Sequence, residues 1–280
     1  MSIVRSLVLT ALRGMPLRGL RHRWFLRSRA VAPQSDAPTA FKARVLVLGV
    51  YLADRPNSVG HLIERLASTG TIEVVQRWAA VNGRSADPRV EALTVRHVAG
   101  PRPKATIVNE LLEPGDLEHF DFVIVSDDDI HLPHDFLAAF LAYQQKLDFS
   151  IAQPARTWHS HFDHAFVLRR PWLLARQTHY VESGPLVSFR RDAARLLLPF
   201  DEASPLWGLD FVWPEVMGRH GMKMGIVDCV PVDHSMRAQA VSYDKQEQDA
   251  AMKRYLATRP HLSMEAAFVV VRQYPLSGRR

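Results

Sequence analysis

The sequence predicts an α/β protein with a mainly parallel, Rossmann-like sheet flanked by helices, and three observations carry that expectation. Runs of strand length alternate with helical patterns in the order strand, helix, strand, strand, helix, strand from residue 44 to 125. The first run, RVLVLGVY at 44–51, is apolar enough to be a buried strand. A hydrophobic content of 47% against 23% charged residues is that of a globular chain, with length for one large or two small domains.

The elements follow in order. Residues 58–68 (SVGHLIERLAS) read as an amphipathic helix ending near Gly70, and 72–81 and 92–98 as the second and third strands. Residues 105–112 read as a short helix and 120–125 as the fourth strand. Beyond it the pattern predicts helices at 134–146, 192–198, 210–219 and 245–257, and strands at 149–152, 181–189 and 224–230. There is no internal repeat, and residues 30–41 read as a Pro/Ala/Ser linker.

The charge is confined to one end. Residues 1–40 hold seven arginines and one acid, Asp36, so the chain's 35 basic and 29 acidic residues leave 28 of each for the rest. A neutral body argues against a nucleic-acid-binding domain. The single Cys229 excludes an internal disulfide framework and a multi-cysteine zinc site, and fits a buried thiol. The longest apolar stretch near the start, 7–12, is too short for a membrane span. Three readings fit residues 1–40: an amphipathic segment on an anionic membrane surface, an organellar transit peptide, or a basic tail. The expected location is cytoplasmic, with the first reading placing the protein peripherally on the inner face of the membrane.

The chemistry-bearing feature is Asp127-Asp128-Asp129, directly after the fourth strand. Ligands of open α/β sheets bind at that edge. Clustered carboxylates there suit a hard divalent cation, Mn²⁺ or Mg²⁺, which takes oxygen ligands together with substrate phosphate. A solvated acidic turn, or an acidic cluster ahead of the next helix, fits the same residues.

Further motifs follow one another along the chain. They are Asn82-Gly-Arg-Ser-Ala-Asp87, Lys104 ahead of Asn109, Glu182-Ser-Gly184 leading to Phe189-Arg190-Arg191, and Phe200-Asp201-Glu202. Trp207-Gly-Leu209-Asp210, Gly221-Met-Lys223 and Asp233-His234 complete the series. The ordered set resembles family-2-like glycosyltransferases with a GT-A fold, over roughly residues 44–236. The resemblance implies a metal-dependent, inverting transfer from a nucleotide-diphosphate sugar, UDP-linked as first expectation, to a saccharide or lipid-linked hydroxyl. It implies a metal held by Asp129 and His234 with Asp127 in support, and a donor site drawing on Asp54, Asn57, Asn82, Asp87, Lys104, Asp127 and Asp128. Asp210 would be the general base. His234 also fits a satisfied loop histidine, Lys104 a surface lysine, and Asp210 a helix N-cap.

Two departures stand out: Leu209 replaces the first member of the usual acid pair, and Asn82 stands where many relatives carry an acid. The first keeps open a sugar-nucleotide-binding protein without turnover. A rival spelling, His159-Ser-His161-Phe-Asp163-His164, resembles the metal motif of metallo-β-lactamase-like hydrolases, but its flanks lack that family's strand and glycine turn. In the transferase reading it belongs to an acceptor-facing loop, with Trp158, His159, His161, Glu182 and Trp207 as candidate acceptor contacts. The implied division is a basic segment and linker at 1–41, a nucleotide-sugar half at 42–130, an acceptor and catalytic half at 131–265 and a tail at 266–280.

Overall fold

The computed structural model describes residues 42–100, 102–237 and 244–276. The N-terminal segment read as a membrane contact, transit peptide or tail lies outside the described residues. Strands β1 (Ala43–Leu52), β2 (Ile72–Val81), β3 (Thr94–Val98) and β4 (Phe122–Ser126) run parallel in the spatial order β3–β2–β1–β4. Helix α1 (Val59–Arg65) joins β1 to β2, α2 (Pro88–Glu91) joins β2 to β3, and α3 (Lys104–Asn109) with α4 (Asp116–His119) leads into β4.

The second half extends the same sheet. It contains α5 (Phe136–Lys146), β5 (Phe149–Arg156), β6 (Leu173–Thr178), β7 (Leu186–Arg190), α6 (Arg191–Leu197), α7 (Leu209–Arg219) and β8 (Lys223–Val232). Helices α8 (Lys245–Leu256) and α9 (Met264–Ala267) and strand β9 (Val270–Pro275) follow. Among the described residues the full order is β3–β2–β1–β4–β7–β5–β8–β6–β9. Strand β7 is antiparallel to both β4 and β5, and β6 is antiparallel to both β8 and β9. The α/β class is therefore as expected, with a sheet that is mixed from β7 outward. Residues 270–275, in the stretch read as a tail, form the edge strand β9.

Strand β1 shows why the sheet is covered on both faces. Val45 and Val47 enter one core layer with Leu62, Phe136 and Phe140, whereas Leu46 and Leu48 enter the other with Ile107, Val108 and Trp213. Gly49 is required by a close approach: a Cβ there would lie 2.1 Å from the buried Trp78 ring. Gly49→Ala is therefore expected to cost about 1–3 kcal/mol by overpacking. Thermal unfolding checks this; an unchanged Tm would show that the ring can move aside.

Strand β6 (LLARQT) was not expected, because its polar residues break the apolar pattern. Its Arg176 is fully buried beside Asp228 of β8, with Nε 2.9 Å from Oδ2, and also donates to the Phe166 carbonyl at 2.7 Å. A paired, hydrogen-bonded ion replaces an apolar residue in the core there.

Candidate functional site

The four parallel strands end on one edge, and the acidic triplet leaves β4 at that edge. Its three side chains do different things. Asp127 pairs with Lys104, the first residue of α3, and its N–H donates to the Pro185 carbonyl at 2.7 Å. Gly184 lies against it, since a Cβ at that position would be 3.0 Å from Asp127 Oδ2.

Asp128 turns inward and is 2% exposed. Its carboxylate accepts from the Leu52 N–H at 2.8 Å and from Arg237 Nη1 at 3.0 Å. Its carbonyl accepts from the Ser58 N–H at 2.7 Å and the Ser58 hydroxyl at 2.8 Å. Burial pushes this carboxyl above the ordinary range against the pull of Arg237. Asp128, expected on the donor, thus ties the β4 exit to the β1 exit.

Asp129 faces His234, which follows β8: Oδ1 is 3.2 Å from Nε2, and Arg237 Nη2 is 3.4 Å from Oδ2. Burial raises the Asp129 carboxyl, but the contact with His234 and the charges of Arg237 and Lys104 outweigh it and hold it at about 2.

The residues present fit a divalent cation in part. Buried Asp129 Oδ1 makes no well-formed hydrogen bond despite its 3.2 Å approach to His234. Two donor atoms that far apart match neighbouring ligands on an ion bound at about 2.1 Å. Among the described residues no group of three or more His, Cys, Asp or Glu could hold an ion by itself. Asp129 and His234 would need substrate oxygens to complete the shell, as Mg²⁺-type sites commonly do.

Among the residues expected to line the donor site, Asn82 Nδ2 lies 3.4 Å from Asp54 Oδ2, and Asn82 Oδ1 accepts from the Gly100 N–H at 3.2 Å. Residues 82–84 and 97–100 line a shallow cavity of about 350 Å³ there. Asn57 is spent on its own turn, donating to the carbonyls of Leu52 and Arg55 at 2.9 and 3.1 Å. Asp87 caps α2, accepting from the Arg89 N–H at 2.9 Å, and also pairs with the Arg89 side chain.

Trp158, His159 and His161, expected on the acceptor side, come to the same edge because residues 157–161 are laced to the end of β8. His159 Nε2 lies 3.1 Å from Asp233 Oδ2, the His161 N–H donates to the His234 carbonyl at 2.8 Å, and the His234 N–H donates to the Ser160 hydroxyl at 2.9 Å. Trp158 is 48% exposed, and Trp207 is half-buried before Gly208. His164 turns away into an aromatic cluster, 4.8 Å from the Phe268 ring and 5.7 Å from Tyr180. The His159–His164 spelling is thus part of a laced loop.

Two buried acids lie behind that loop. Glu182 pairs with Arg156, whose guanidinium also donates to the carbonyls of His161 at 2.8 Å and Gly184 at 3.1 Å. Burial pushes Glu182 up to about 7, with Arg156 opposing and Asp210 adding. Asp210 sits in the first turn of α7, accepting from the Gly208 N–H and from the Tyr180 hydroxyl, both at 3.1 Å. Burial pushes Asp210 up to about 6, against those hydrogen bonds. The helix begins one residue earlier than expected: Gly208, at φ 97°, is the cap, and Leu209 is buried in the core. Asp210 is therefore a first-turn acid, and the position of the usual first acid faces inward.

Arg237, Tyr180 and Arg156 were not singled out in the sequence. Arg237 stands three residues after His234, which is a usable signal; the other two are visible only through packing.

Among the described residues no helix is long and apolar enough to cross a membrane. No protein-family model matches the sequence, and no curated protein is similar to it. Several solved structures are similar in part, and two of them serve as examples. One is GalNAc-T7 with UDP, GalNAc and Mn²⁺, at 12% identity and TM-score 0.48, over 76% of this chain and 48% of that one. The other is the mannosyltransferase PcManGT from Pyrobaculum calidifontis with GDP-Man and Mn²⁺, at 19% identity and TM-score 0.42, over 79% of this chain and 67% of that one. The chain thus spans about half the length of the GalNAc-T7 chain it matches.

Proposed function

We infer that the protein is a metal-dependent, inverting glycosyltransferase of GT-A type. It moves a sugar from a nucleotide-diphosphate donor, UDP-linked as first choice, to a saccharide or lipid-linked hydroxyl. One observation carries this reading: the peptide 180–184 touches the first acid of the triplet at one end and Asp210 at the other. Gly184 lies against Asp127, and Tyr180 donates to Asp210. Donor-side acids and a candidate base are thus fixed to one short segment.

Asp129 and His234 would hold Mn²⁺ or Mg²⁺, which when bound offsets charge on a leaving diphosphate. Lys104, paired with Asp127, would meet a donor phosphate by exchanging that contact. Ionised Asp210 takes the proton from the acceptor hydroxyl. That oxygen bonds to the anomeric carbon from the face opposite the diphosphate. The old carbon–oxygen bond breaks with its electron pair on the nucleotide, and the configuration inverts. Trp158 and the His159–His161 loop supply an aromatic face and polar groups on the acceptor side.

The test is a screen of UDP- and GDP-sugars against oligosaccharide and lipid-linked acceptors, with and without Mn²⁺. The expected result is nucleoside diphosphate release matched by an acceptor heavier by one glycosyl unit, both requiring the metal. Donor binding without product under every condition would favour the binding protein that Leu209 keeps open. No metal-dependent donor binding would end the transferase reading.

A further inference from the structure

We propose that Tyr180 is the positioning residue for Asp210, fixing the orientation of its carboxylate for proton abstraction. The proposal rests on the transferase reading above. A carboxylate used as a base must present one lone pair to the acceptor hydroxyl and keep the rest of its oxygens engaged. At Asp210 two fixed donors come from different elements. The Gly208 N–H holds Oδ1 at 3.1 Å, and the Tyr180 hydroxyl holds Oδ2 at 3.1 Å.

The phenol is itself held. Its ring meets Phe268 edge-on at 4.7 Å, Phe211 at 5.6 Å and His164 at 5.7 Å, and the side chain is 1% exposed. A buried tyrosine hydroxyl needs a partner, and here the partner is the acid. Phe211 is the residue after Asp210, so ring and carboxylate are fixed by the same first turn of α7. Phe268 comes from the segment between α9 and β9, so the C-terminal elements brace the tyrosine that braces the acid.

Glu182 and Arg156 form the neighbouring buried pair, with Asp163 acting on Glu182 from the loop. Tyr180 is the side chain that donates to Asp210 directly. A phenol donating to a carboxylate favours its ionised form. Burial pushes the phenol's own ionisation well above the ordinary range, with Asp210 adding to it, so it stays a donor.

The experiment compares the pH dependence of kcat for wild type, Tyr180→Phe and Asp210→Asn in the full chain. Tyr180→Phe keeps the ring and its packing. It is expected to lower kcat about tenfold, leave the donor KM unchanged, and move the acid limb up by about one pH unit, one tenfold step in ionisation. Replacing Tyr180 by 3-fluorotyrosine, a stronger donor of nearly the same size, should move that limb down, which covers the case in which the phenylalanine variant does not fold. A purely structural tyrosine would lower Tm and leave the limb in place, and that outcome overturns the proposal. If Asp210→Asn transfers at the wild-type rate, the assignment of the base has failed instead. If Asp210→Asn is inactive while both Tyr180 replacements keep the wild-type limb, positioning alone has failed.

Discussion

Asp210→Asn should lower kcat by about 10²–10⁴-fold, the usual contribution of a positioned general base, while donor binding stays at the wild-type level. The amide keeps the shape of the carboxylate in the first turn of α7 but cannot take a proton from a hydroxyl. Single-turnover transfer and donor titration, run side by side, separate the two effects. The wild-type profile should carry the same signature. With Asp210 raised to about 6, the carboxylate is ionised and competent above that pH. Below it the acid is protonated, and kcat should fall about tenfold per pH unit. The direction matters, because an unburied aspartate would place that limb two units lower and outside most assays. A flat profile from pH 4 to 8, or full transfer by the asparagine variant, would remove Asp210 from the chemistry.

Asp129→Asn should abolish Mn²⁺-dependent donor binding, with a loss larger than the roughly 10–100-fold that accompanies changes around metal ligands. The carboxylate held at about 2 is charged at every working pH, so it needs no deprotonation before it meets a cation. Calorimetric titration of Mn²⁺ with and without UDP reads the effect directly. Asp128→Asn is the internal control. That side chain is buried and bonded to Leu52 and Arg237, so its loss should appear in Tm first. If Asp129→Asn binds Mn²⁺ like the wild type, and Asp128→Asn does not, the roles of the two acids are exchanged.

The sequence made the first half of the sheet legible because its strands are apolar on both faces, and Asp127–Asp129 stand out against them. It marked His234 and Asp210 through their motif neighbours. Strand β6 was hidden by Arg176, a buried charge paired with Asp228, which is 52 residues away along the chain. The stretch 181–189 read as one strand, yet β7 starts at Leu186. Residues 180–184 are instead occupied with Asp210, Arg156 and Asp127. Local periodicity reports which residues are apolar; it does not report that a polar peptide is buried because three distant partners meet it there. Tyr180 and Arg156 belong to that class.

The reversed direction of β7 has a consequence for how this protein would tolerate change. Leu186, the first residue of β7, pairs with Ser126, the last of β4. Every strand from β1 to β4 delivers its following loop to the working edge, whereas β7 delivers the loop that precedes it. Substitutions near β7 should therefore damage function upstream of the strand and be absorbed downstream of it, the mirror of the pattern around β4. An engineer testing the proposed acceptor side would leave 180–185 and the Ser160 and His161 contacts with His234 intact and vary Trp158, which is exposed on the loop that returns to the same edge.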